Sequence, residues 1–486
     1  MIAREMIQAI KEATTNEETD FDARGFATLW TCAPALDATL MNTNPLKEGT
    51  AMKMKLQPWR RIAILAILLS TPASVSADAV SDWNAIAVQA TITGARPTPT
   101  GVIDIAMVQA AIYDAVQAIE KRFEPYYVEI KVASGSPVAA AAKAAHDVLV
   151  NRFPAPAQAA SLDMIYQQYL FNQGLSETDP GVAVGARAAA GIIALRACDG
   201  SFPSPTPLPF NGGTEPGVWR PTPPNNQAMV APWLGNVTPF TLTRPSQFRA
   251  APPPALTSRQ YARDYNEVKA VGALNYSSRD PEQTDIAHFY AGNTVVIWNQ
   301  ALRDIATTHV DNIADSARLF ALADLAIADA LITSWNDKTY YVFWRPITAI
   351  REGENDGNPR TAGDSSWLSL INNPPYPDYT SGAVNFATAA TRTLEHFFGT
   401  DHMTFSVTTT NTGPTVEDTR TYYRFSDAAQ DVVDARVYSG IHFRFADEAA
   451  RKQGRQVARW TFRNFLRPLD HDDNDGETDN DHDCNR

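Results

Sequence analysis

The groups in this chain whose types and spacing could act together are three cations, a hydroxyl, a glycine and a histidine between residues 338 and 442. Lys338 and Arg345 stand in "KTYYVFWRP", seven positions apart. That is two helical turns, so the cations share a face if the segment is helical. Pro346 disfavours helical geometry at Arg345, so the helix is expected to end there and release the guanidinium. Trp335, Tyr340, Tyr341, Phe343 and Trp344 surround the pair. Two solvated surface cations are one reading. The aromatic setting favours the other, cations out of water with an anionic partner. In residues 373–399, Pro374, Pro375 and Pro377 enforce an extended approach to Thr380-Ser381-Gly382, and a helix follows from about Ala383 to Phe398. Free backbone N–H groups, a hydroxyl and the positive dipole end suit an anion. Simple N-capping by Thr380 or Ser381 is the alternative. In residues 434–454, Arg436 and His442 are six apart, which an unbroken helix would separate by about 120°. Gly440 can bend the chain so that both point one way. A structural imidazole in a core is the other reading of His442, and Arg436 with Arg444 favours an anionic environment.

Taken together, Lys338, Arg345, Arg436, the Ser381 hydroxyl and the Gly382 N–H can surround the oxygens of a tetrahedral oxyanion. A neutral His442 nitrogen could then bond the central atom, as a ligand to vanadium or a nucleophile toward phosphorus.

The elements that must position these groups read as all-α. Residues 104–123 place Ile105, Val108, Ala111, Ile112, Ala115, Val116 and Ile119 at helical spacing, with Asp104 as the expected N-cap. Ala-rich helical patterns follow at about 137–152 and 182–198, with 158–174 between them, and helical pattern resumes at 258–272 and 281–307. Residues 312–336 are apolar almost all round and predict a central buried helix. No strand-rich region is expected. Between the helical halves, 78–201 and 258–469, lies a proline-dense stretch, 202–257, carrying Phe210, Trp219, Trp233, Phe240 and Phe248. Proline forbids a long regular element there, and so many aromatics argue against a solvated tether. An ordered crossover strapped across the surface is the expectation.

Net charge is −13 over 486 residues, which disfavours nucleic acid or an anionic membrane as partner. Eight acidic residues and one Arg lie in 470–486, read as a disordered acidic tail. Calcium binding there is the minor alternative, because His471 and His482 break the EF-hand pattern. The cysteines, Cys32, Cys198 and Cys484, have no metal-ligand spacing. Lys53, Lys55, Arg60 and Arg61 precede an apolar run, Ile62 to Leu69, and then Val75-Ser76-Ala77. Residues 52–77 read as a signal peptide, 1–51 as an extension outside the fold, and the product as periplasmic or secreted from about Asp78. The apolar run is too short to span a bilayer.

The order Lys-x6-Arg-Pro, Pro…Ser-Gly, Arg-x5-His resembles the vanadium-dependent haloperoxidases and the related type 2 phosphatidic acid phosphatase superfamily. "KTYYVFWRPITAIRE", "YPDYTSG" and "YSGIHFRF" resemble the haloperoxidase branch in particular. The resemblance extends over most of the chain after residue 78. It implies two four-helix bundles, vanadate held by Lys338, Arg345, Ser381, Gly382 and Arg436, and vanadium ligated by His442. The implied substrates are hydrogen peroxide and halide. Phosphate-ester hydrolysis through His442 is the alternative. Two positions depart from the family pattern. Its Ser-Gly-His is here Ser381-Gly382-Ala383, which removes an acid–base imidazole, and the Asp expected four residues after His442 is Ala446, with Asp447 one step later. Oxyanion binding without turnover is therefore a third expectation. His288, His396 and His402 are the imidazoles that could stand in for the missing one.

Overall fold

The computed structural model describes residues 78–411 and 418–469. The readings placed on 1–51, 52–77 and 470–486, the calcium alternative among them, lie outside the described residues, as does Cys484. Asp78 caps helix α1 (Ala79–Thr93), accepting the Val80 N–H at 3.1 Å. Helices α2 (Thr98–Glu120), α3 (Pro137–Arg152), α4 (Pro156–Asn172) and α5 (Pro180–Arg196) follow. α2, α3 and α5 pack on one another and α4 packs on α3. The alanines of α3 are fully buried between them, as small residues at a close helix contact should be.

Asp104 is not the N-cap expected of it. α2 starts a turn and a half earlier at Thr98, where Pro99 suits a first helical turn. Asp104 is buried inside the helix and pairs with Arg96 Nε at 3.0 Å and Arg152 Nε at 2.7 Å.

The second half contains α6 (Arg259–Val271), α7 (Pro281–Phe289), α8 (Thr294–His309) and α9 (Ile313–Tyr341). It continues with α10 (Pro346–Arg351), α11 (Gly382–Phe398), α12 (Phe425–Tyr438) and α13 (Arg444–Asn464). The expected helix over 281–307 is broken in two. Gly292 interrupts it and Asn293 recaps α8 by accepting from Val295 N at 3.0 Å. An antiparallel hairpin, β1 (His402–Thr408) with β2 (Thr419–Arg424), departs from the all-helical expectation; it pairs Phe405 with Tyr422. These two short strands leave a mostly helical protein.

α9 is the central element foreseen from its composition. It packs on α2 from the first half and on α11 and α13 from the second. The proline-rich stretch is ordered, but it is embedded as well as strapped over the outside: Trp219, Leu234 and Val237 are fully buried. Asp329 of α9 pins it. That buried carboxylate accepts the N–H groups of Phe240 (2.6 Å), Thr241 (2.7 Å) and Leu242 (3.0 Å), and the Thr241 hydroxyl at 2.6 Å. Each buried donor left without a partner costs about 1–3 kcal/mol. Asp329→Ala is expected to destabilise the protein by at least ~3 kcal/mol, read from the midpoint of urea unfolding, whereas Asp→Ala at an exposed helix position should shift it by less than ~0.5 kcal/mol.

Candidate oxyanion site

α9 stops short of Arg345. Val342 takes a left-handed conformation at φ 48°, and the proline-rich strap holds the next residues extended. Trp219 N donates to Val342 O at 2.7 Å, and Trp344 N to Gly217 O at 3.0 Å. Arg345 then stands at the N-cap of α10, ahead of Pro346. Lys338 and Arg345 therefore meet through a chain break, and the two-turn spacing is not what aligns them. Both are fully buried. Lys338 Nζ donates to the carbonyls of Pro377 (2.7 Å) and Asp378 (3.1 Å). Arg345 Nε donates to Tyr376 O at 2.8 Å and Nη1 to Ile441 O at 2.6 Å. Each cation lies 5.0 Å from the Tyr376 ring centroid.

Ser381 occupies the N-cap position of α11, yet its hydroxyl makes no capping bond. Thr380 does not cap either; its hydroxyl donates to Gln453 Oε1 at 3.0 Å. The capping alternative thus fails to describe this helix start. Gly382 follows, where a Cβ would come within 2.9 Å of Trp335 Cζ3. A side chain there would push the helix start away from α9.

Arg436 lies in the last turn of α12 and donates from Nη1 to Tyr290 O at 3.2 Å. That carbonyl belongs to the break between α7 and α8. Gly440 bends the chain as its position suggests: its φ is +77°, and a Cβ would meet Gly272 O at 2.3 Å. The bend places His442 between α12 and α13, fully shielded from solvent. Arg444 does not join the group. It pairs with Glu267 and Asp434 on the outer face.

His442 Nε2 lies 3.0 Å from Arg345 Nη1. A guanidinium can only donate, so Nε2 is the acceptor and the imidazole proton is assigned to Nδ1. Nδ1 is 2.7 Å from Asp378 Oδ1, close but without the alignment of a well-directed hydrogen bond. Burial, then Arg345, Lys338 and Arg436, hold the His442 pKa well below 6.5. Burial and Arg345 likewise draw Lys338 well below its ordinary range. Burial pushes Asp378 up to about 7, opposed by Arg345 and Lys338. It also raises Asp447 well above its usual value, opposed by the Ser381 hydroxyl beside it.

Asp378 and Asp447 are the members that motif reading left unassigned. Asp378 lay within the quoted "YPDYTSG", but nothing in its spacing announces a contact to a residue 64 positions later. Asp447 stands one position beyond Ala446; its proximity to Ser381 depends on how α13 docks beside α11.

Several buried polar atoms here lack a hydrogen-bond partner among the described residues: Arg345 Nη2, Arg436 Nε, Ser381 Oγ, and both oxygens of Asp378 and of Asp447. Two guanidinium N–H groups and a hydroxyl without acceptors are what an oxyanion would satisfy, so the donor set fits one. Arg436, Gly382 and Ala383 also line a cavity of about 210 Å³ that opens beside these groups. Among the described residues lining it there is no histidine; His288, His396 and His402 are all elsewhere, and His396 is stacked on Phe462.

A mostly helical protein with buried cations, an unpartnered serine and a neutral histidine gathered at its helix ends is the class defined so far. The family model for the vanadium chloroperoxidase second helical-bundle domain matches residues 318–471. Vanadium chloroperoxidase of Curvularia inaequalis is 31% identical over 242 residues, 41% of this chain and 39% of that protein. The chain thus matches well under half the length of this relative. The crystal structure of the first bacterial vanadium-dependent iodoperoxidase superposes with a TM-score of 0.70 at 23% identity, covering 82% of this chain and 99% of that one. A holo-type bacterial vanadium-dependent chloroperoxidase gives 0.63 at 18% identity, covering 76% and 91%. Residues 318–471 thus match a vanadium chloroperoxidase domain, and the fold is that of the bacterial vanadium-dependent haloperoxidases.

An imidazole whose pKa is depressed stays neutral where a free one, at 6.5, is half protonated. The unfolded chain then binds that proton more readily, so His442 withdraws stability as pH falls below about 6.5. In ¹⁵N-histidine NMR at pH 6.0, His442 should show the neutral imidazole with its proton on Nδ1. A protonated His442 at that pH would contradict the assignment.

Proposed function

We propose that this protein is an exported vanadate-dependent haloperoxidase that oxidises halide with hydrogen peroxide. The observation that carries the reading is the set of unpartnered donors, Arg345 Nη2, Arg436 Nε and Ser381 Oγ, gathered around a neutral His442. Lys338, Arg345, Ser381, the Gly382 N–H and Arg436 would hold the vanadate oxygens, and His442 Nε2 would ligate vanadium. Vanadate bound there supplies a Lewis acid that activates peroxide toward halide. For Nε2 to serve as ligand, Arg345 must exchange its 3.0 Å bond to the imidazole for one to the anion. Asp378, at 2.7 Å from Nδ1, keeps the proton on the far nitrogen and the Nε2 lone pair available. The basic flank and apolar run at 53–69 support export.

Ala383 favours a second reading, oxyanion binding without turnover, because the cavity lining includes no imidazole to move a proton. Phosphate-ester hydrolysis through His442 is the third and draws on the same donors.

Bromide or iodide oxidation by the purified chain with vanadate and peroxide, measured beside phosphate-ester hydrolysis without vanadate, separates the three. Halide oxidation should require vanadate and fall to background in His442→Ala. Ala383→His, placed at the cavity wall, should raise kcat by about 10²-fold, the lower end of what a positioned acid–base group contributes. Ester hydrolysis lost in His442→Ala would favour the phosphatase. If neither activity exceeds that of His442→Ala, the binding reading stands.

A further inference from the structure

The break between α7 and α8 is gripped from two sides, and both grips lead back to α12. On one side Arg436 Nη1 donates to Tyr290 O at 3.2 Å. On the other, the Tyr290 phenol reaches into the hairpin. Its hydroxyl is 2.7 Å from that of Tyr422 on β2, and the Tyr422 hydroxyl donates to Asp431 Oδ2 of α12 at 2.9 Å. A phenol carries one proton, so Tyr422, which directs its own to Asp431, must accept from Tyr290. Asp431 and Arg436 stand five residues apart on one helix. Arg436, Tyr290, Tyr422 and Asp431 therefore close a circuit. Both tyrosines are buried, so a hydroxyl that loses its partner there has no water to replace it.

The hairpin holds more of the break than this one side chain. Just beyond β1, Thr410 Oγ1 accepts from Asn293 N at 3.0 Å, and Asn411 Nδ2 donates to His288 O at 2.7 Å. Arg420 of β2 pairs with Glu282 at 2.8 Å and with Asp285, both on α7. Gly292, inside the break, has no room for a side chain, since a Cβ would come within 2.8 Å of Thr410 Oγ1. These contacts fix the Tyr290 carbonyl, and that carbonyl fixes the guanidinium. With Nη1 tied to it, the planar head of Arg436 cannot turn. Its buried Nε, which has no partner among the described residues, then keeps one direction. A donor already held in place loses less freedom when an anion arrives than one the anion must order.

We propose that Tyr422 and Asp431 are positioning residues for the oxyanion site, acting through Tyr290 to hold Arg436 in its binding orientation. The proposal rests on the oxyanion reading of Arg436. It gives the hairpin a task that covering the helices does not require.

Orthovanadate binding to the full chain, followed by calorimetry without peroxide or halide, tests it. Tyr422→Phe keeps the ring against Phe405, whose centroid is 5.7 Å away, and removes only the hydroxyl. It should weaken binding about tenfold, as lost preorganisation of one donor would. Asp431→Ala should do the same, whereas Asp431→Asn keeps an acceptor oxygen and should recover most of the affinity. Phe405→Leu loosens the same packing but leaves the hydroxyls and the carboxylate in place. It should lower the melting temperature and leave the dissociation constant unchanged, because lost stability alone does not alter the affinity of the folded protein. Wild-type affinity in both Tyr422→Phe and Asp431→Ala, or equal weakening by Phe405→Leu, overturns the positioning role and leaves the hairpin as packing. No orthovanadate binding by the wild type overturns the oxyanion reading itself, and this proposal with it.

Discussion

Burying two guanidinium groups is the constraint on which the rest of the C-terminal half depends. Arg345 and Arg436 are both inside the protein, and a buried charge persists only where fixed dipoles or counter-charges replace water. The titratable neighbours give little help. Burial raises Asp378 to about 7 and Asp447 well above its normal range, and lowers Lys338 and His442, so each of these moves toward its neutral form. What remains is positive charge held by carbonyl oxygens, with N–H groups to spare. An oxyanion would reverse the imbalance, restoring partners to the arginines and favouring the charged lysine.

The fold meets this constraint by bringing helix ends together. Lys338 and Arg436 occupy the last turns of α9 and α12, where the dipole favours cations. Arg345 stands at the N-cap of α10, Ser381 at that of α11, and Asp447 in the first turn of α13. N-termini present unpaired N–H groups and partial positive charge, so an anion is favoured where they converge. His442 sits in the connection between α12 and α13, made sharp enough by Gly440. The breaks that interrupt regular helices, at Val342, at Gly292 and at Gly440, are therefore where the chemistry is held. The rest of the chain contributes as well: the strap fixed by Asp329 holds the break after α9, and Thr98 of α2, in the first half, lines the neighbouring cavity.

Much of this was legible in the residues, though not always for the reason first apparent. The uniformly apolar run that became α9 marked the central helix, because no face of it could be left to water. Pro346 did bar helix at Arg345, but the helix ended four residues earlier, where the strap's hydrogen bonds to Val342 and Trp344 compete with helical ones. The Ser-Gly pair left capping and anion binding open, and the Ser381 hydroxyl makes no capping bond. Asp104 looked like a cap and serves as the buried partner of two arginines. The hairpin after α11 escaped notice because two short strands of mixed polarity carry little periodic signal.

By itself the sequence determined the helical class, the proline-rich crossover and the residues fit to bind an oxyanion, since periodicity, proline and side-chain chemistry are local properties. Tertiary structure decided which of them meet. Asp378 reaches His442 across 64 residues, Asp447 lies beside Ser381, and Arg444 turns outward to Glu267 and Asp434. Those outcomes follow from how α9, α11, α12 and α13 dock, and docking is set by the summed packing of many side chains, which no single motif encodes.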